Sequence, residues 1–125
     1  MVDAREVVQE ILKQNQEVTL LCPAANIHRI TAPRNNKDFP CIVIREDDNY
    51  PNNADGSERS SAVTMQVWLW AQKEDSYLSL IKAVNKALAA KRWIRSGVKP
   101  DNFLPEPLGI YEKMLLYEKA ILNNE

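Results

Sequence analysis

The strictest alternation of apolar and polar positions runs from Ala62 to Gln72, where Val63, Met65, Val67, Leu69 and Ala71 interleave with Thr64, Gln66, Trp68 and Trp70. Successive side chains of a strand point to opposite faces, so this pattern predicts a β-strand with one aliphatic face and one face carrying two tryptophans. Cys41, Ile42, Val43 and Ile44 form a continuous apolar run, as expected of a strand buried on both faces. Ile27 to Ala32 is a shorter strand candidate that Pro33 ends.

Helical spacing appears in two places. Ala4, Val7, Val8, Ile11 and Leu12 follow Asp3 and Glu6, which fit a capping box, and the polar run Lys13 to Gln16 closes this first helix. From about Ser76 to Lys91, Tyr77, Leu80, Ile81, Val84, Ala87 and Leu88 share one side of a second helix. Its basic end, with Lys86, Lys91 and Arg92, suits the negative pole of the helix dipole. Between the first helix and the first strand, Val18 to Cys22 leaves room for at most one helical turn before Pro23.

Arg45 to Ser61 is rich in Asp, Asn and Ser, has almost nothing to bury, and reads as a long mobile connection. Trp93 to Arg95 is a short strand candidate, and Pro100, Pro105 and Pro107 make Gly97 to Gly109 an irregular connector. The last segment, Ile110 to Leu122, stays open. Ile110, Met114, Tyr117 and Ile121 match a helical stripe, the composition also favours helix, and periodicity alone does not choose. The sum is one domain over residues 1–125, of α+β class, with two helices packed on one face of a mainly antiparallel sheet.

Charge and composition narrow the function. Sixteen Lys and Arg against seventeen Asp and Glu give a net charge of -1, without the basic excess that binding to phosphate backbones requires. No apolar run is long enough for a bilayer, and MVDAREVVQE lacks the layout of a signal peptide, so the chain is expected to stay in the cytoplasm where it is made. Cys22 and Cys41, far from CxxC spacing, read as buried thiols, and with His28 the only histidine no metal or cofactor is expected. Placing Gly56 at the glycine of a calcium loop puts Pro51 at the first ligand position, which excludes that reading of Glu46, Asp47 and Asp48. Only Gly56, Gly97 and Gly109 are glycines, so no phosphate-binding loop exists. Lys91, Arg92, Trp93 and Arg95 interleave cations with an aromatic as a nucleic-acid contact would, although helix capping explains them more simply.

The tryptophan face is the stronger lead. If both helices cover the aliphatic side of the Ala62 to Gln72 strand, Trp68 and Trp70 point where no helix remains, as interface anchors do, unless the connector Gly97 to Gly109 folds across them. The candidate interface set is therefore Trp68 and Trp70, with Arg45, Glu46, Asp47, Asp48, Tyr50 and Arg59 from the polar connection and Arg92 and Arg95 from beyond the second helix.

The order of elements resembles the tail-terminator or tail-completion proteins of long-tailed bacteriophages. The matching features are an N-terminal helix, DFPCIVI leading into a buried strand, a long polar loop, TMQVWLWAQ, KEDSYLSLIKAVNKAL, and GIYEKMLLYEKAIL as a closing segment. That resemblance implies a strand for the closing segment, a homo-oligomeric ring of six copies that caps the tail tube, and a surface for the head-side connector. It implies no catalytic residues, a place in the tail-neck region of the virion after assembly in the host cytoplasm, and genome DNA passing through the ring without sequence-specific contact. Three other readings differ in what they need. Another small neck or baseplate component would differ in its partner, a cysteine hydrolase needs His28 beside a cysteine, and a DNA-binding regulator needs a basic surface.

Overall fold

The computed structural model describes residues 4–32, 38–51, 60–105 and 109–122. The first described element is α1 (Ala4–Lys13), which buries Val8 and Leu12 and leaves Val7 partly exposed. Asp3 lies outside the described residues, and the capping box with it. Asn15 then caps α2 (Gln16–Leu21), its side-chain oxygen accepting from Val18 N at 3.0 Å. After a 3-10 turn at Ala24–Asn26 come β1 (Ile27–Arg29), β2 (Cys41–Pro51) and β3 (Ser60–Ala71). They are followed by α3 (Glu74–Ala90), β4 (Ile94–Val98), β5 (Asn102–Leu104) and β6 (Ile110–Leu122).

The strands form a six-stranded sheet in the order β1, β2, β3, β6, β4, with β5 also paired to β6. Only β1 and β2 are parallel, so the class is α+β with a mainly antiparallel sheet, as the sequence predicts. Every helix lies on one face. Val8, Leu12, Val18, Leu80, Val84 and Leu88 from the helices meet Ile42, Ile44, Met65, Val67, Leu69 and Tyr117 from the strands in one core. Each such aliphatic side chain contributes about 1.5–3 kcal/mol of burial. Cys41 and Val43, though equally buried, alternate to the opposite face with Trp68 and Trp70, their partners in the β2–β3 ladder.

Four expectations need correction. Arg45–Pro51 and Ser60–Ser61 are not a connection but the outer parts of β2 and β3, which pair with one another through Pro51 and Ser61; residues 52–59 lie outside the described residues. A strand that continues beyond the helices needs only its backbone ladder, so it carries no apolar signal. Val18 to Leu21 belong to a six-residue helix with Cys22 as its C-cap, making three α-helices over the sheet among the described residues rather than two. Gly97 to Gly109 is not wholly irregular, because β4 runs to Val98 and β5 follows, with Pro100 and Pro105 outside the paired residues.

The fourth correction concerns the end of α3. Lys86 does not serve the helix pole but pairs with Glu17 of α2 at 3.0 Å. Lys119 of β6 reaches Lys91 O at 3.3 Å instead, and its ammonium lies 5.9 Å from the centre of the Trp93 ring. Arg92 takes the left-handed position (φ 67°) that reverses the chain, with Arg92 N donating to Ala89 O and Trp93 N to Leu88 O, both at 3.0 Å.

β6 is a strand, as the resemblance implies and local propensity does not. It inserts between β3 and β4, pairing with β3 from Tyr111 to Leu122. Both of its faces are apolar there, Leu115 and Tyr117 toward the helices and Ile110 and Met114 away from them, which erases the two-residue period.

Candidate functional site

On the face without helices, β3 presents Trp68 and Trp70 side by side, with ring centroids 6.2 Å apart and planes 23° from parallel. Register sets Trp68 between Val43 and Met114, and Trp70 between Cys41 and Glu112. Val43 and Cys41 are completely buried while the tryptophans are half-buried. The indoles therefore lie down over their strand neighbours and keep their outer surfaces in solvent. Among the described residues no element crosses above them. β5, the ordered part of the connector, sits in the plane of the sheet beside β6.

Polar groups fix both rings. Trp70 Nε1 donates to Glu112 Oε2 at 2.6 Å, and Asn102 Nδ2 of β5 donates to the other carboxylate oxygen at 3.2 Å. Trp68 Nε1 donates to Gln66 Oε1 at 3.0 Å. Arg45 completes the row: its guanidinium lies 5.6 Å from the Trp68 ring centre while its Nε donates to Ile30 O at 2.7 Å. A surface whose aromatic rings are already oriented loses little side-chain entropy on contact, a property of interface anchors.

The structure brings together only part of the sequence-derived set. Arg45, Trp68 and Trp70 form one patch. Glu46 follows on β2 opposite Met65, Asp47 and Asp48 occupy a β-bulge between Glu46 and Asn49, and Tyr50 pairs with Ala62 farther out. Arg59 lies outside the described residues. Arg92 and Arg95 belong elsewhere, Arg92 at the exit of α3 and Arg95 on the far edge strand opposite Tyr117. Glu112, Asn102 and Gln66 were not legible as members of the patch, because only strand register sets them beside the indoles.

Cys22 and His28 are the nucleophile and base that a cysteine hydrolase would need. Cys22 is buried, with its Sγ directed at the carbonyls of Pro40, Pro23 and Asn26, and burial, reinforced by neighbouring Cys41, pushes its thiol up to about 12. At neutral pH it is no thiolate nucleophile. His28 is held below its ordinary value by burial and then by the charge of Lys13. Among the described residues no three His, Cys, Asp or Glu side chains come together as metal ligands, and no helix is long and apolar enough to cross a membrane.

The profile of the family described as tail completion protein gp17 matches residues 6–99, from α1 through the end of β4. The chain belongs to the tail completion protein gp17 family. Membership bears out the tail-completion resemblance and makes the protein a structural component of phage tails. A chain in the solved structure of the virion of a native gene transfer agent (GTA) particle is similar in fold, with a TM-score of 0.66 at 9% sequence identity. The alignment covers 93% of this chain and 92% of that one, so the shared fold extends past the profile match into β6. Comparison with curated protein sequences gives no match.

Proposed function

We propose that this tail completion protein assembles as a ring of six copies that caps the finished tail tube and presents its other rim to the head-side connector. Its place is the tail-neck region of the virion after assembly in the host cytoplasm, with genome DNA passing through the ring and no catalytic step. Family membership over residues 6–99 is the observation that carries this reading. The oriented, half-buried pair Trp68 and Trp70 supports it, because two indoles on an uncovered sheet face suit burial against a neighbouring subunit.

Native mass spectrometry of the purified chain, alone and with isolated tail tubes, tests the ring. A six-copy species, or six copies bound per tube end, is the expected result. A chain that stays monomeric in both settings would end the ring reading. For the face, replacing Trp68 and Trp70 together by Ser should weaken assembly while a cooperative thermal melt persists; the Phe pair, which keeps apolar cover, should assemble better than the Ser pair. Equal assembly by all forms would remove the tryptophans from the interface.

A further inference from the structure

Along the outer edge of β1, where α1 passes beside it, lies a cleft of about 670 Å³. Among the described residues its charged side chains are all basic: Arg5 and Lys13 from α1 and Arg29 from β1, with His28 beside them and no Asp or Glu in the described lining. Neither Lys13 nor Arg29 makes an ion pair with a described residue. His28 Nε2 is buried without a hydrogen-bond partner among the described residues.

The backbone of this edge has its acceptors already engaged. Ile27 O accepts from the Gln9 side chain at 2.9 Å, and Arg29 O accepts from Thr31 N at 2.8 Å. Since Ile30 N bonds to Ile44 O across the ladder, strand alternation turns Arg29 N–H the other way, toward the cleft. The cleft thus offers cations and an N–H donor and hides its carbonyls, a preference for an acceptor-rich anionic guest. Ala24, Ala25 and exposed Ile30 also line it, giving apolar wall to a peptide stem that a bare phosphate would not use.

The same chain carries a matching guest at another place. From Glu46 to Glu58 the sequence holds Glu46, Asp47, Asp48, Asp55 and Glu58 and no Lys or Arg. The first three sit on β2 beyond Ile44, where the pairing of β1 ends, so among the described residues nothing pairs with β2 on that side. At about 3.3 Å per residue, the backbone of Asp48 lies roughly 13 Å along β2 past the end of β1. We propose that the cleft receives Glu46, Asp47 and Asp48 of a second copy of this chain, with Lys13 and Arg29 as their ionic partners. Two different surfaces of one chain that fit each other make a head-to-tail contact, the kind that closes into rings. The proposal rests on the ring reading above and specifies one contact of that ring. Arg45, bonded to Ile30 at the cleft rim and stacked on Trp68, joins this contact to the tryptophan face.

Charge exchange tests it. The cleft variant (Lys13→Glu with Arg29→Glu) and the strand variant (Glu46→Lys, Asp47→Lys and Asp48→Lys) are each measured by analytical ultracentrifugation, alongside wild type and their equimolar mixture. Each variant alone should self-associate at least about tenfold more weakly than wild type, because like charges then face one another. The mixture should co-assemble into oligomers in which the two variants alternate, since the intact acidic strand of one fits the intact cleft of the other and the reversed strand fits the reversed cleft. All five changes in one chain should restore assembly. Folded variants that assemble like wild type, or a mixture in which the two variants do not co-assemble, overturn the contact. Wild-type rings with unaffected variants remove this contact and spare the ring reading. Wild-type open oligomers that both variants abolish would do the opposite. If the mixture stays monomeric while duplex DNA binds wild type and is released by the cleft variant, the guest is phosphate and the proposal fails.

Discussion

Val67 and Leu69 differ from Trp68 and Trp70 by one position along β3, yet the two pairs have opposite fates. The aliphatic pair is fully buried under three helices and joined to the core, while the indoles lie half-buried on the far face, held by Gln66, Glu112 and Arg45. The small side chains are the ones sealed away and the largest are left at the surface. Stability is thus concentrated on one side of the sheet. The other side keeps oriented aromatic area that remains partly in solvent.

The largest effect expected of this comparison is on the covered face. Leu69→Ala should cost about 2–5 kcal/mol of unfolding free energy in urea titrations, whereas Trp68→Ser, removing a half-buried ring, should cost about 1–2 kcal/mol. A Trp68→Ser loss as large as that of Leu69→Ala would break the comparison and make the outer face part of the core.

The polar contact inside the covered face comes next. Tyr117 OH donates to Asn85 of α3, and burial raises its hydroxyl pKa, with Arg95 opposing. Tyr117→Phe leaves the Asn85 oxygen without that donor and should cost about 1–3 kcal/mol. A neutral result would mean that the helix is held to β6 by apolar contact alone.

Arg92 touches neither face, and its backbone sits at φ 67° where a Cβ is disfavoured. Arg92→Gly should stabilise by about 0.5–1 kcal/mol, the relief of strain exceeding the added freedom of the unfolded chain, and should leave self-association unchanged. Weakened assembly in this variant would return Arg92 to the interface set.

The smallest effect lies at the rim of the covered face. Asp101 accepts from Tyr77 OH at 2.5 Å and from Lys113 Nζ at 3.0 Å, and these contacts hold its carboxyl below the ordinary 3.8. A carboxyl depressed in the folded state adds stability above its unfolded value and loses it as pH falls through the folded value. A slight decline in melting temperature below about pH 4 is therefore expected, reduced by solvent screening at this exposed group. Asp101→Asn should flatten that part of the profile; an unchanged slope would assign the acid sensitivity to other carboxyls.

How much was legible in the chain follows from which physical signal each element carries. The alternation at Val63 to Ala71 and the apolar run at Cys41 to Ile44 determined two strands and the tryptophan face, because each pairs a short period with burial. The helical stripe from Tyr77 to Leu88 likewise determined α3, with boundaries off by about two residues where Glu74 and Asp75 enter its first turn. Tertiary structure alone decided the rest. Arg45–Pro51 is a strand only because Ser61–Gln66 is there to pair with it, and Ile110–Leu122 is a strand because β3 and β4 flank it on both sides. Glu112 meets Trp70 across 42 residues, and Lys13 and Arg29 come to line one cleft, in arrangements that no local pattern encodes. Local sequence fixes what a segment can bury; which backbone and which charge it meets is set by pairing at long range.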